Sequence, residues 1–229
     1  MIAISSMLSS AAQDNLSLQR VWEKIDVNSC PYQYNFHMHT VASDGKLIPS
    51  ELIQQALEIG LKGLAITDHH SVEGYKRAQE YLNSLESEKS DRFTLWTGME
   101  VTSLLSGVEV HILGYAFNPE HPVLQPYLQG SGPNREDAQA DKVIDSIHQA
   151  GGLAVLAHPH RYRRRGKELI PLAARFGIDG IEVYYSYGSS NPWKPTPKKT
   201  EEAYELAAKY NLYMTCGTDT HGCDLLLRV

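Results

Sequence analysis

Apolar positions along this chain switch repeatedly between a period of two and a period near 3.6. "YQYNFHMH", residues 32–39, alternates like a strand and is rich in aromatic rings. In "IPSELIQQALEIG", Leu52, Ile53, Ala56, Leu57 and Ile59 share one helical face, with Ser50 as the expected N-cap and Gly60 as terminator. "LKGLAIT" predicts a short buried strand, and "SVEGYKRAQEYLNSLESEK" a helix despite Gly74. "RFTLWTGMEVT" and "VEVHILGYAF" predict two strands joined by a turn at Ser106 and Gly107. Then come helix "PNREDAQADKVIDSIHQAGG", strand "LAVLAH" and helix "GKELIPLAARFG", kinked or restarted near Pro171. Strand "DGIEVYY", helix "KKTEEAYELAAKYN" and a last strand in "LYMTCGTDTH" complete the pattern. Strands alternating with helices imply parallel pairing with crossover helices outside. An open doubly wound sheet and a closed α/β barrel both fit. No glycine-rich dinucleotide or Walker signature follows any strand, which argues against nucleotide-cofactor and P-loop functions.

The chain's 229 residues suffice to close a barrel or cover a sheet. The stretch ahead of the first strand, residues 1–32, reads as a helical or partly ordered arm, and 33–229 as one domain. A composition of 42% hydrophobic and 21% charged residues is ordinary for a globular protein. The net charge of −6 argues against a general nucleic-acid coat but leaves room for a local basic patch. Cys30, Cys216 and Cys223 are odd in number and widely spaced, which suits a reduced cytoplasmic protein without a disulfide framework. "MIAISSMLSSAA" lacks the basic start and long apolar core of a secretory signal, and no run reaches membrane-spanning length. No membrane association or obligate protein partner is expected.

Polar residues then change the picture. His37 and His39 end the first strand, and Asp68 and His69 the second. Glu100 ends the third, His111 lies in the fourth, His158 ends the fifth, and Asp219 and His221 end the last. Strand C-termini line the active-site face of an α/β barrel and the ligand crevice of an open sheet alike. Residues two apart on a strand face the same way, so His37 and His39 can grip one ion while Met38 packs behind. Imidazoles and carboxylates crowded together without a metal would force unfavourable protonation shifts. Nitrogen and oxygen donors without thiolate suit Zn, Mn, Fe or Co. A lone histidine at a strand end is more often a hydrogen-bonded structural residue; it is the whole set that points to metal.

The motifs "FHMHTVASDG", "AITDHHSVEG", "GMEV", "HILGY", "AHPHR", "GIEVYY" and "GTDTHG" together resemble the polymerase-and-histidinol-phosphatase (PHP) superfamily of metal-dependent phosphoesterases. That resemblance implies a distorted TIM-like (β/α)7 barrel carrying two or three divalent ions, Mn, Zn or Fe. By motif, His37, His39, Glu100 and Asp219 would hold the first ion, with Glu100 bridging. Glu100, His111 and His158 would hold the second, and Asp44, His69 and His221 the third. His70 stands where the family frequently has aspartate, and is left out of the ligand set. The closer likeness is to members acting on nucleotide phosphates and short nucleic-acid ends, which often carry a small inserted domain between "HILGY" and "AHP". Here that interval holds little beyond one helix.

The expected chemistry is hydrolysis of phosphate esters by metal-activated hydroxide, the substrate being a small phosphorylated molecule or a nucleic-acid end. Glu100 serves it directly, Asp68 orients a neighbouring histidine or handles protons, and Arg161 meets phosphate with its planar fork. His160, Arg163 and Tyr184, the last within the aromatic set Tyr184, Tyr185 and Tyr187, are candidate substrate contacts. The alternatives are an amidohydrolase-type metalloenzyme and a non-catalytic, metal-stabilised binding module.

Overall fold

The computed structural model describes residues 13–85, 92–188 and 190–228. The chain enters through α1 (Asn15–Trp22) and builds the first sheet from β1 (Tyr34–Asn35), β2 (Gly63–Ala65) and β3 (Thr94–Trp96). Between these strands lie α2 (Pro49–Ile59) and α3 (Glu73–Ser84). The second sheet comprises β4 (Gly98–Leu105), β5 (Val108–Tyr115), β6 (Leu153–Leu156), β7 (Gly180–Tyr184) and β8 (Tyr213–Cys216). Its helices are α4 (Ala140–Gln149), α5 (Gly166–Arg175) and α6 (Pro197–Tyr210), with a 3-10 turn at Pro122–Tyr127 that the sequence pattern does not predict.

Local rules explain most boundaries. α2 begins with Pro49 in its first turn after extended Ile48, not at Ser50 as expected; proline has no N–H there to leave unpaired. It stops at Gly60, whose φ of 85° takes the left-handed conformation that caps helices. α5 runs through Pro171 without restarting. α4 starts only at Ala140, because Asn134 accepts hydrogen bonds from the backbone of Glu136 and Asp137 and holds the preceding residues in a turn.

The topology departs from the expected uniform parallel order. β1–β2–β3 are parallel, as are β6–β7–β8, but β5 runs antiparallel to both β4 and β6. Ser106 and Gly107, at φ 51° and 79°, form the predicted turn, and β4 and β5 pair from Gly98↔Tyr115 to Leu105↔Val108. The described residues hold eight strands rather than seven, since the stretch expected as the third strand breaks at Thr97. The Thr97 hydroxyl donates to Phe117 O at 2.9 Å; β3 before it pairs with β2, and β4 after it with β5.

The two sheets meet along both edges. At one, Glu100 N donates to Asp68 O (3.2 Å) and His70 N to Glu100 O (3.0 Å). At the other, Phe36 N donates to Cys216 O (3.1 Å), Asp219 N to His37 O (2.8 Å) and His39 N to Thr220 O (3.0 Å). Both seams lie at the C-terminal ends of β1, β2 and β8, where the chemistry-bearing residues sit.

Two apolar layers hold the sheets from outside. α2 and α3 cover the first, around Leu52, Ile53, Leu64, Ile66 and Ala78. α4, α5 and α6 cover the second, around Val143, Ile147, Val155, Ile170 and Ile181. The expected N-terminal arm is part of this second layer from α1 onward: Trp22 is 2% exposed and packs edge-on against Phe36 and Tyr115 at 6.1 and 5.3 Å. Residues 1–12 of that arm lie outside the described residues. The three cysteines are unpaired, and no described helix is long and apolar enough to cross a membrane.

Two predictions follow from this packing. Trp22→Ala should destabilise the protein by about 3–5 kcal/mol in denaturant titration, the range for an emptied aromatic core site; a detached arm would give almost no change. The second concerns His148, whose Nε2 lies 2.7 Å from Asp179 at the end of α4; this hydrogen bond raises its pKa against the opposing effect of burial. A raised histidine pKa stabilises fully below the unfolded value of about 6.5 and fades as pH rises through the native value. His148→Gln should therefore lose more stability at pH 6 than at pH 9, by less than about 1 kcal/mol because the pair is partly solvated.

Candidate metal centre

Glu100, 1% exposed in β4, lies at the middle of the cluster. Its Oε2 faces His37 Nε2 at 3.0 Å, His39 Nε2 at 3.1 Å and His69 Nε2 at 3.6 Å. Its Oε1 faces His111 Nδ1 at 2.7 Å and His158 Nε2 at 3.4 Å. Asp219 Oδ1 sits 3.3 Å from both His37 Nε2 and His39 Nε2. Asp44 Oδ2 is 3.3 Å from His221 Nε2, while its Oδ1 is 3.6 Å from His39 Nδ1. Every residue expected as a ligand therefore lies in one continuous cluster.

Donor atoms gather in three groups within 4.8 Å: His37, His39, Glu100 and Asp219; His69, Glu100 and His111; and His39, Asp44, His69 and His221. The first matches the expected set. In the second, His69 takes the place expected for His158, which stands 3.4 Å from the same Glu100. The third gains His39.

Partners outside the cluster aim these rings. Glu182, fully buried in β7, accepts from His37 Nδ1 at 3.1 Å and from His158 N at 2.8 Å, so His37 turns Nε2 inward. His221 Nδ1 donates to Asp219 O at 3.0 Å, which turns its Nε2 toward Asp44. The second Asp219 oxygen receives the Tyr185 hydroxyl and, at 2.8 Å, Arg161 Nη1. The Tyr162 ring packs 5.4 Å from His158, and its oxygen accepts from His111 N at 2.8 Å. A side chain at Gly217 would collide with His37, so only glycine lets β8 bring Asp219 this close.

Electrostatics record the crowding. Burial alone resists ionisation of Glu100, yet the charges of His37 and His111 hold its pKa well below the carboxylate range. Burial likewise opposes charge on His37, but Glu100, Glu182 and Asp219 outweigh it and keep the pKa well above the usual value. His39 is raised to about 9, because hydrogen bonds to Asp219 and Glu100 overcome burial. His69 is lowered to about 4, chiefly by burial. Buried carboxylates and imidazoles so arranged need compensating positive charge, from protons or from cations that displace them.

The donors fit divalent cations. Nδ1 of His39 is buried without a hydrogen-bond partner, 3.6 Å from Asp44 Oδ1 in the third donor group. Such an atom costs about 1–3 kcal/mol when left unsatisfied, and a metal would satisfy it. The donor set is imidazole and carboxylate with no thiolate, as Zn, Mn or Fe prefer.

Other expected site residues lie differently. Asp68 reaches no imidazole; its carboxylate accepts from Thr40 N and Oγ1 (both 2.7 Å) and Ser43 Oγ (2.8 Å). It thus holds the loop carrying Asp44, and a Cβ at Gly74 would collide with it. Tyr184 packs in the apolar layer beneath α6, near Tyr204. A register shift between Glu182 and Tyr184 breaks the every-second-residue alternation and brings Tyr185 to the cluster instead. His160 turns away toward Gly166 and Glu202, and Arg163 is exposed without touching the cluster. Arg161, half-exposed, reaches Asp219 from outside the cluster. Sequence reasoning missed Glu182 and Tyr162; the signal for Glu182 was an acid within the apolar run "GIEVYY".

Glu182→Gln should keep the fold and weaken binding of Zn or Mn to the first donor group by about 10–100-fold, the usual effect of removing a ligand's outer partner. Calorimetric titration of the metal-free protein reads this directly, and unchanged affinity would mean that Glu182 does not aim His37.

Comparison with known proteins fits this geometry. A family model described as PHP domain matches residues 35–219. The 5'-3' exoribonuclease Rnm of Escherichia coli is 27% identical over an alignment covering 82% of this chain and 85% of that protein. Among solved structures, an amidohydrolase from Chromobacterium violaceum, with bound sulfate and no metal, superposes with TM-score 0.68 at 20% identity, over 86% of this chain and 90% of that one. A chain from Bifidobacterium adolescentis, provisionally described as a metal-dependent phosphoesterase, gives 0.67 at 23% identity, over 84% and 89%. At such identities the structural likeness is one of fold.

Proposed function

The chain belongs to the PHP domain family, and from that premise we propose that it is a metal-dependent phosphoesterase acting on phosphates of nucleotides or nucleic-acid ends. The observation that carries this reading is a buried carboxylate, Glu100, with imidazoles ranged against both of its oxygens. The Rnm exoribonuclease among its relatives supports a nucleic-acid substrate. The two sheets, joined along both edges, read as a distorted barrel with the cluster at its C-terminal mouth.

His37, His39, Glu100 and Asp219 would hold one cation, and Glu100, His69, His111 and His158 a second. Asp44, His69 and His221 would hold a third. Bound there, divalent cations acidify water near neutral pH and draw charge from phosphoryl oxygens. The chain's own groups supply position and charge. Glu182 locks His37, Asp68 locks the loop bearing Asp44, and Tyr185 fixes the outer oxygen of Asp219. Asp68 is thus a positioning residue, not a proton carrier, since its oxygens already receive three donors. Arg161, its side chain 41% exposed, can turn its guanidinium from Asp219 to an incoming phosphate. The unpaired thiols suit a reducing compartment such as the cytoplasm.

Metal-stripped protein reloaded separately with Mn, Zn, Fe or Mg should hydrolyse phosphoesters with at least one of the first three and lose activity to chelator. Glu100→Gln should lower that rate at least about 100-fold, the upper end of what removing an outer partner alone achieves. Cleavage of cyclic amides with no turnover of any phosphoester would overturn the proposal.

A further inference from the structure

Resting on the phosphoesterase reading, we infer that Lys194, Lys198 and Lys199 join Arg161 in a track for the phosphate backbone of single-stranded nucleic acid leading out of the metal centre. The substrate class this selects is a polymer end rather than a free nucleotide.

Two basic segments far apart in sequence lie side by side here. One is "RYRRRGK" after β6, and the other is "WKPTPKK" at the start of α6. A chain of contacts joins them to the cluster. Tyr185 touches Asp219, and its ring lies 4.8 Å from Tyr187. Tyr187 OH accepts from His160 N at 3.2 Å on one side, and Tyr187 N donates to Thr196 Oγ1 at 2.9 Å on the other. Lys199 Nζ sits 4.2 Å over the Tyr187 ring. The basic surface therefore begins at Arg161, against a metal-site carboxylate, and continues past Tyr187 to Lys199, with Lys198 beside it in the first turn of α6 and exposed Lys194 just ahead of the helix.

Nearby acids do not cancel this charge. Glu168 pairs with Arg164 at 3.0 Å and Arg165 at 2.8 Å, and Glu202 lies 4.0 Å from His160. Among the described residues, no carboxylate comes within ion-pair distance of Arg163, Lys194, Lys198 or Lys199. Nor do the lysines serve their own helix. Lys198 and Lys199 occupy the first turn of α6, where peptide dipoles disfavour cations, and no acid sits there to offset them. The Thr196 hydroxyl accepts from Tyr187 rather than capping the helix. A positive strip on a chain of net charge −6, beginning at a phosphate-hydrolysing cluster, matches a polyanion. Tyr184 and Tyr185 are buried and Lys199 lies over the half-buried Tyr187 ring, so the strip reads phosphates and not bases.

The test is the full-length variant Lys194→Glu/Lys198→Glu/Lys199→Glu, with a glutamine version alongside. Glutamate in the first turn favours the helix, and thermal midpoints of both variants confirm folding. Binding of a fluorescent 20-nucleotide single-stranded RNA is measured in chelator, across a salt series. Loss of three phosphate contacts should flatten the slope of log affinity against log salt by about 2. With metal restored, the loss of kcat/KM on RNA should exceed that on p-nitrophenyl thymidine 5′-phosphate at least tenfold. An unchanged salt slope, or equal losses on both substrates, overturns the track. Wild-type protein that binds RNA with the expected slope yet hydrolyses no phosphoester overturns the activity and leaves the track standing.

Discussion

A carboxylate buried among imidazoles sets the terms for this molecule. Five imidazole nitrogens stand 2.7–3.6 Å from the two oxygens of Glu100, which is 1% exposed. An isolated ion in such a place would carry a penalty of about several kcal/mol. Two features meet it. The oxygens are engaged from both sides, and the surrounding rings are aimed by partners of their own, Glu182 for His37 and Asp219 O for His221. Asp219 is itself restrained by Tyr185 and Arg161, so the order extends outward through two layers of contact.

The fold serves this carboxylate through its irregularities. A uniform parallel sheet would bring each strand to the cluster by its C-terminal end. Here β5 runs the other way, and His111, its fourth residue, arrives from the N-terminal half. Glu100 pairs with Leu113 and Thr102 with His111, so Glu100 and His111 are diagonal neighbours on one face. Glu100 at the same time keeps backbone hydrogen bonds to Asp68 O and His70 N in the stretch after β2, so one residue joins the hairpin to the first sheet. Positive φ angles at His158 (23°) and Asp219 (54°) bend the chain just past β6 and β8. Non-glycine residues held in that region store strain of about 1–3 kcal/mol each, commonly at functional sites.

The same contrast governs which parts of the site could be read in advance. The candidate donors other than Asp44 were legible because imidazole and carboxylate at successive strand ends have no ordinary role in a packed core; Asp44 came only from the family resemblance. Asp68 looked like a histidine partner because it precedes His69, yet its oxygens are taken by the Thr40–Ser43 turn from another strand's loop. Tyr184 is one of the aromatic set Tyr184, Tyr185 and Tyr187, and the register shift in β7 brings Tyr185 to the cluster instead. Glu182 hid in an apolar run, and only the meeting of β7 with β1 reveals that it faces His37.

Residue chemistry and periodicity by themselves determined the order of strands and helices, the ends at which polar groups collect, and the donor types available to a metal. Those properties are local: they follow from side-chain alternation, turn residues and the identity of each functional group. Tertiary structure alone decided the seat of β6 against β5, the join between the two sheets, the docking of α1 into the core and the partners of the buried carboxylates. Each of these depends on which distant segments compete for the same hydrogen bond or the same apolar surface. No single stretch of chain carries that information, because the free energy that settles it belongs to the pair of segments in contact.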